Sequence, residues 1–193
     1  MSRALLELLR GTFGEAILET SSQHGDEAVV LEAAAWRRVH AFLRDDARCQ
    51  MNFLMDLCAV DYPERLPRFE LVAHLYSTEK NHRLRTKTRV GNEEGTDANV
   101  ETLTGLWHSA DWFERETWDM MGVHFQGHPD LRRILMYPEF EGHPLRRDYD
   151  ANRTQPLVPY REGPDILDKL APFDSNEGMP FGRQSHDPAR RLL

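Results

Sequence analysis

At 193 residues and 22.4 kDa, the chain suits one compact domain with an appendage. Hydrophobic residues make up 40%, and no apolar run approaches the roughly 20 residues that cross a bilayer, so no direct membrane insertion is expected. Formal net charge is -8, all of it in residues 1–142 (16 Lys+Arg against 24 Asp+Glu), and an acidic body argues against nucleic acid, whose binding needs phosphate neutralisation.

The N-terminal stretch MSRALLELLRGTFGEAI is an amphipathic opening built on Leu5, Leu6, Leu8 and Leu9. Glu7 interrupts its apolar run and no small-residue cleavage site follows, which predicts a cytoplasmic, soluble chain rather than a secreted one. Gly14–Thr20 and Ala28–Leu31 read as short strands around a turn over Ser21–Asp26. Leu31–Leu43 turns helical, with Trp36, Val39, His40 and Leu43 on one face. Met51–Val60 is an apolar run that predicts a central strand. Phe69–Tyr76 alternates, and from Asn81 the alternation sharpens: Arg83, Arg85, Lys87 and Arg89 against Leu84, Thr86, Thr88 and Val90. The short link Ser77–Lys80 predicts an antiparallel hairpin, and the cationic row reads as a charged, solvated sheet face rather than a binding stripe.

Gly91–Asp97 is a loop, after which Asn99–Trp107 and Asp111–Met121 are predicted helices. Asp111 is the expected N-cap of the second, with Glu114 completing a capping-box pair, and Gly122 is the expected stop. The predicted fold is therefore α+β: a mixed or antiparallel sheet of about five strands with helices packed on one side. From 143 the character changes. Seven of the eleven prolines lie in 143–193, spaced among aromatic and aliphatic anchors. We read 1–142 as the compact domain and 143–193 as an extended arm lying along a partner.

Cys49 and Cys58 stand apart, with no CxxC spacing, and are read as buried apolar residues rather than ligands or a disulfide. His124 and His128 have an i, i+4 spacing that could join a metal on a helix, the basis of an alternative reading as a metallohydrolase. Gly127 and Pro129 flank His128, however, and no Glu follows His124, so turn histidines are expected. On a helix from Asp111, Glu116 falls beside Trp112 and Met120 on the apolar side, which predicts an ion pair with Arg132 or Arg133. No nucleophile elbow, phosphate loop or Ser/Cys–His pairing appears, and no catalytic, cofactor-binding or metal residue is assigned.

The densest segment is Glu114–Tyr149, ERETWDMMGVHFQGHPDLRRILMYPEFEGHPLRRDY. Two triplets, Gly127-His128-Pro129 and Gly142-His143-Pro144, each precede paired arginines, Arg132-Arg133 and Arg146-Arg147. Glycine permits unusual backbone angles and proline fixes the next one, so the pattern predicts a turn-locked ribbon. Arginine's planar fork suits bidentate carboxylate contacts, internal or across an interface. This segment resembles the signature of the 30 kDa subunit family of respiratory complex I, which in bacteria is the C-type subunit of the proton-translocating NADH:quinone oxidoreductases. QMNFLMDLCAVDYPE (50–64), FELVAHLYS (69–77), NHRLRTKTRVG (81–91) and ADWFERE (110–116) extend the resemblance in the same order.

The resemblance implies a cofactor-free subunit of the hydrophilic arm, peripheral on the cytoplasmic side of the inner membrane. Its neighbour would be the 49 kDa-type (D-type) subunit of the quinone site, with flavin and iron–sulfur clusters held in partner subunits. The interface residues it implies are Glu114, Arg115, Glu116, Asp119, Gly122, Leu131 and the two Gly-His-Pro/Arg-Arg groups above. Equivalent subunits of membrane-bound hydrogenases and of the photosynthetic complex I-like enzyme share the same segment.

Overall fold

The structure, a computed structural model, describes residues 2–158. Helix α1 (Ser2–Phe13) sends Leu5, Leu6 and Leu9 into the core, as their helical spacing dictates. Strands β1 (Ile17–Gln23) and β2 (Asp26–Leu31) form a hairpin whose two-residue turn, His24-Gly25, has φ of 54° and 87°. Positive φ at both central residues matches the right-handed twist of the flanking strands. Helix α2 (Trp36–Asp45) buries Trp36, Val39, His40 and Leu43, the face that the periodicity selects.

Strands β3 (Phe53–Asp61), β4 (Phe69–Ser77) and β5 (His82–Val90) form an antiparallel meander. Strand β5 also pairs parallel with β2, giving a mixed five-stranded sheet of order β1-β2-β5-β4-β3. Helices α1 and α2 pack on one sheet face, in a core formed by Val29, Leu31, Leu54, Leu57, Phe69, Leu71, Ala73, Leu75, Leu84 and Val90. On the other face, Lys87 and Arg89 pair with buried Glu70 (2.8 and 3.5 Å), and Arg89 also holds Glu19 at 2.8 Å. That face is charged as predicted, with half of its cationic row neutralised locally.

Helix α3 (Ala110–Met121) lies against the outer edge of β3. Thr117 Oγ1 donates to Leu57 O (3.2 Å) and Ser109 Oγ to Leu54 O (3.4 Å), so side chains satisfy carbonyls that an exposed edge would leave free. Gly122 ends the helix in the left-handed region, as expected.

Three expectations are corrected. Asn99–Trp107 is not a helix: β6 (Asn99–Glu101) pairs parallel with β7 (His124–Gln126), and turns follow. That pairing comes from residues 25 positions away, which local periodicity cannot register. Cys58 is exposed on β3; only Cys49 is buried. The compact unit runs to Pro156, so residues 143–156 belong to it rather than to an arm. The rest of the expected arm, 159–193, lies outside the described residues.

Candidate docking interface

From 127 to 156 the chain forms an irregular ribbon, and the signature's charged groups fix it in place. Asp119, fully buried on α3, is the main anchor. Its Oδ2 accepts the consecutive amides of Ile134 (3.1 Å), Leu135 (2.9 Å) and Met136 (2.9 Å), while Oδ1 meets Arg133 Nη1 at 2.5 Å. Burial alone would raise the carboxyl's pKa, but these amides and the guanidinium hold it below the usual carboxylate range. Arg133 also donates from Nη2 to Phe140 O (2.8 Å) and Gly142 O (3.0 Å), and its guanidinium lies 5.7 Å from the Trp118 ring. Arg115, buried, donates to the carbonyls of Arg132 and Arg133.

The second triplet is held at the end of α3. His143 Nδ1 donates to Asp119 O (3.0 Å), and burial lowers the pKa of its imidazole. Arg146 donates to Met121 O (2.6 Å) and Gly95 O (2.9 Å), satisfying a carbonyl that the helix end leaves free. Gly122 makes room for both: with φ of 79°, a Cβ there would sit 2.6 Å from the His143 ring and closer still to Arg146. Gly142 has φ of 92° and faces the Tyr149 ring. A second anchor lies at the start of the β3–β4 connection. Arg68, buried, forks onto Asp61 (2.7 and 2.8 Å) and reaches Asp148 (2.9 Å), while Asp61 accepts the Arg147 amide (2.9 Å). The guanidinium beside it holds the Asp61 carboxyl below its ordinary range.

Glu114 is likewise fully buried on α3, and it does not cap the helix. It accepts Thr102 Oγ1 (2.5 Å) and Leu103 N (2.6 Å), tying α3 to the segment after β6. Burial pushes its pKa up to about 7, against the pull of those two donors and the Arg37 charge. Asp111 sits in the first turn, its Oδ1 3.1 Å from His128 Nε2.

The predicted Glu116 ion pair is absent, because Glu116 is exposed; Asp119 takes Arg133, and Arg132 points outward to Asp130. Trp112, expected on the apolar side, is 62% exposed. Leu131 packs partly against the core. Gly127 (φ 79°) and exposed Pro129 line a surface pocket of about 650 Å³ with Arg37, Thr102, Thr104 and Asp111. His124 is exposed, whereas the His128 ring is covered and its Nδ1 accepts the Asp130 amide (3.1 Å), so the two histidines do not converge. Arg147 is exposed, and Pro144 half-buried. Sequence reasoning missed Asp61, Arg68, Asp148 and Thr102. The signal available was a lone Asp–Arg pair flanking the Pro63–Pro67 turn.

The fold is thus an α+β domain that pins an irregular ribbon to the end of its sheet, an arrangement suited to presenting a fixed surface. Residues 29–155 match the family described as respiratory-chain NADH dehydrogenase, 30 Kd subunit, and the chain belongs to that family. It is 41% identical over 175 residues to the second C-type subunit of the NADH-quinone oxidoreductase of Rhizobium meliloti (strain 1021), covering 91% of this chain and 87% of that protein. Against the C-type subunit of the NADH-quinone oxidoreductase of Caulobacter vibrioides (strain ATCC 19089 / CIP 103742 / CB 15) it is 50% identical over 133 residues, 69% of this chain and 66% of that one. Among solved structures, the trypsin-resistant fragment (1-134) of Nqo5 superposes with a TM-score of 0.57 at 28% identity, covering 67% of this chain and 98% of the fragment. A chain of the membrane-bound sulfane sulfur reductase, an archaeal respiratory membrane complex, shares the fold with a TM-score of 0.65 at 22% identity, covering 78% and 86%. The chain is accordingly a peripheral-arm subunit of NADH-quinone oxidoreductase, with other subunits of that complex as its partners. No described helix is long and apolar enough to cross a membrane.

Proposed function

We propose that the ribbon is the surface by which this protein docks on the 49 kDa-type (D-type) subunit of the quinone site, on the cytoplasmic side of the membrane. The expected arm beyond residue 158 is assigned to the same neighbour. In this reading the chain carries no flavin, iron–sulfur cluster or metal, and electrons pass from NADH to quinone through other chains, coupled to proton translocation. Its part is to hold the arm together.

The supporting observation is the division of labour along the ribbon. Asp119, Arg133, His143 and Arg146 turn inward and fix the backbone. Leu135 and Leu145 are left outward, 57% and 58% exposed, although their amides are tied to the neighbouring residues Asp119 and Met120. Exposed leucines on a rigid backbone suit the buried centre of a protein interface, with Arg132 and Arg147 available to its rim. Replacing both leucines by glutamate tests this. The isolated chain should keep its thermal transition, while membranes should lose assembled complex and NADH:quinone activity together. Normal assembly of the double variant would move the interface elsewhere. A flavin or iron–sulfur band in the visible spectrum of the purified chain would refute the cofactor assignment.

A further inference from the structure

Among the described residues, no lysine or arginine reaches hydrogen-bonding distance of the buried Glu114 carboxyl. The nearest basic group among the described residues is His128 Nε2 at 4.0 Å, which donates to the Asp111 carbonyl at 3.3 Å and has Asp111 Oδ1 within 3.1 Å. His128 Nδ1 already accepts the Asp130 amide, which places the ring proton on Nε2. The charged groups facing the carboxyl are Arg37 from α2 and Asp111 from its own helix. Arg37 Nη1 is engaged by Thr102 O, and Asp111 opposes it in sign. A buried carboxylate in such surroundings is readily neutralised by a proton.

The route for that proton is visible. Glu114 Oε2 lies 2.5 Å from Thr102 Oγ1, which lies 2.9 Å from Thr104 Oγ1, and Thr104 lines the pocket beside Asp111 and Trp112. Thr102 Oγ1 also accepts the Thr104 amide at 3.1 Å. Each hydroxyl has one proton to give and two lone pairs, so directions can be assigned. With Glu114 ionised, the Thr102 proton points to the carboxylate and Thr104 gives its own to Thr102, so Thr104 offers the pocket only lone pairs. With Glu114 protonated, the acid donates to Thr102, Thr102 donates to Thr104, and the Thr104 proton is free to enter the pocket. Both arrangements satisfy every group.

We propose that Glu114, Thr102 and Thr104 form a proton relay that switches the pocket wall from hydrogen-bond acceptor to donor as the buried acid takes up a proton. The inference does not depend on which neighbour binds the ribbon. It identifies a polarity switch within the signature, open to the pocket solvent or to any group seated there.

Carboxyl-carbon NMR of the full chain, assigned with Glu114→Gln, reads the titration directly. The wild-type midpoint should lie near neutrality, in keeping with the value of about 7 that burial imposes. Thr104→Val removes the Thr102–Thr104 hydroxyl bond from both arrangements, but only in the protonated one does it leave the Thr102 proton without an acceptor, so the midpoint should fall by about 0.5–1 unit. Thr104→Ser keeps the hydroxyl and should leave it unchanged. A wild-type midpoint in the ordinary glutamate range, or equal shifts for the valine and serine variants, overturns the relay. Should Thr104→Val fail to fold, exchange of the wild-type Thr104 hydroxyl proton decides. Relative to Glu114→Gln it should quicken as Glu114 becomes protonated, and a flat profile through the midpoint overturns the proposal.

Discussion

Asparagine at position 119 would keep the side chain's shape and remove its charge. In the native chain one oxygen accepts three successive amides and the other faces a guanidinium at 2.5 Å. After Asp119→Asn, the amides lose the charge on their acceptor, about 0.5 kcal/mol each. The carbonyl can meet only one of the two donor sets, so the new amide nitrogen faces the other, and Arg133, whose side chain is only 13% exposed, loses its anion. Breaking one side of a buried pair costs about 3–5 kcal/mol, so we take about 4 kcal/mol for the whole change. If the ribbon opens locally, hydrogen exchange at Ile134, Leu135 and Met136 should quicken by about a thousand-fold. If the loss is shared by the domain, the thermal midpoint should fall by roughly 8–16 °C. Arg133→Met should cost less, about 2 kcal/mol, because the carboxylate retains its three amides. The sign with pH follows from the depressed pKa of Asp119. Its contribution is full above the unfolded carboxylate range and is lost as pH falls through the lower folded value. Unchanged exchange at residues 134–136 in Asp119→Asn, or a larger cost for Arg133→Met, would refute the anchor.

Gly122→Ala should destabilise by about 2–3 kcal/mol in urea titration, from left-handed strain plus displacement of His143 and Arg146; a cost below about 0.5 kcal/mol would show that neither is held there. His40 is fully buried, between Trp36 O and Thr86 Oγ1, and burial lowers its pKa from 6.5 to about 4. Its contribution is therefore full above pH 6.5 and lost between 6.5 and 4, so the stability gap between wild type and His40→Gln should shrink by about 3 kcal/mol across that window. A gap independent of pH would mean that His40 does not titrate on unfolding. Truncation after Pro156 should leave the thermal transition of the body unchanged while preventing incorporation into the complex. Cutting at 151 should also cost stability, because Gln155 bonds Glu141 and Tyr149 and Pro156 O accepts Tyr137. Equal midpoints for the two truncations would remove 151–156 from the compact unit.

Features that depend on near neighbours could be read from the residue order alone. The face of α2, the alternation of β5, the β4–β5 hairpin and the stop at Gly122 all follow from spacings within a single element, where backbone geometry fixes which side chains share a side. The turn-locked character of the two Gly-His-Pro triplets was equally local, since it rests on the dihedral limits of glycine and proline. Helix α3 marks the boundary. Its helical state and end could be read from Asp111–Met121, but its burial could not, because three different structures press on it. The edge of β3 takes Thr117, the segment after β6 takes Glu114, and the ribbon takes Arg115 and Asp119. Trp112 and Glu116, the pair that hydropathy placed together inside, share the one side that none of these covers. Strand β6 failed for the same reason, since its partner arrives only after α3 has closed. Buried carboxylates go where amides and guanidinium groups converge, and that convergence is a property of the folded chain, not of any window along it.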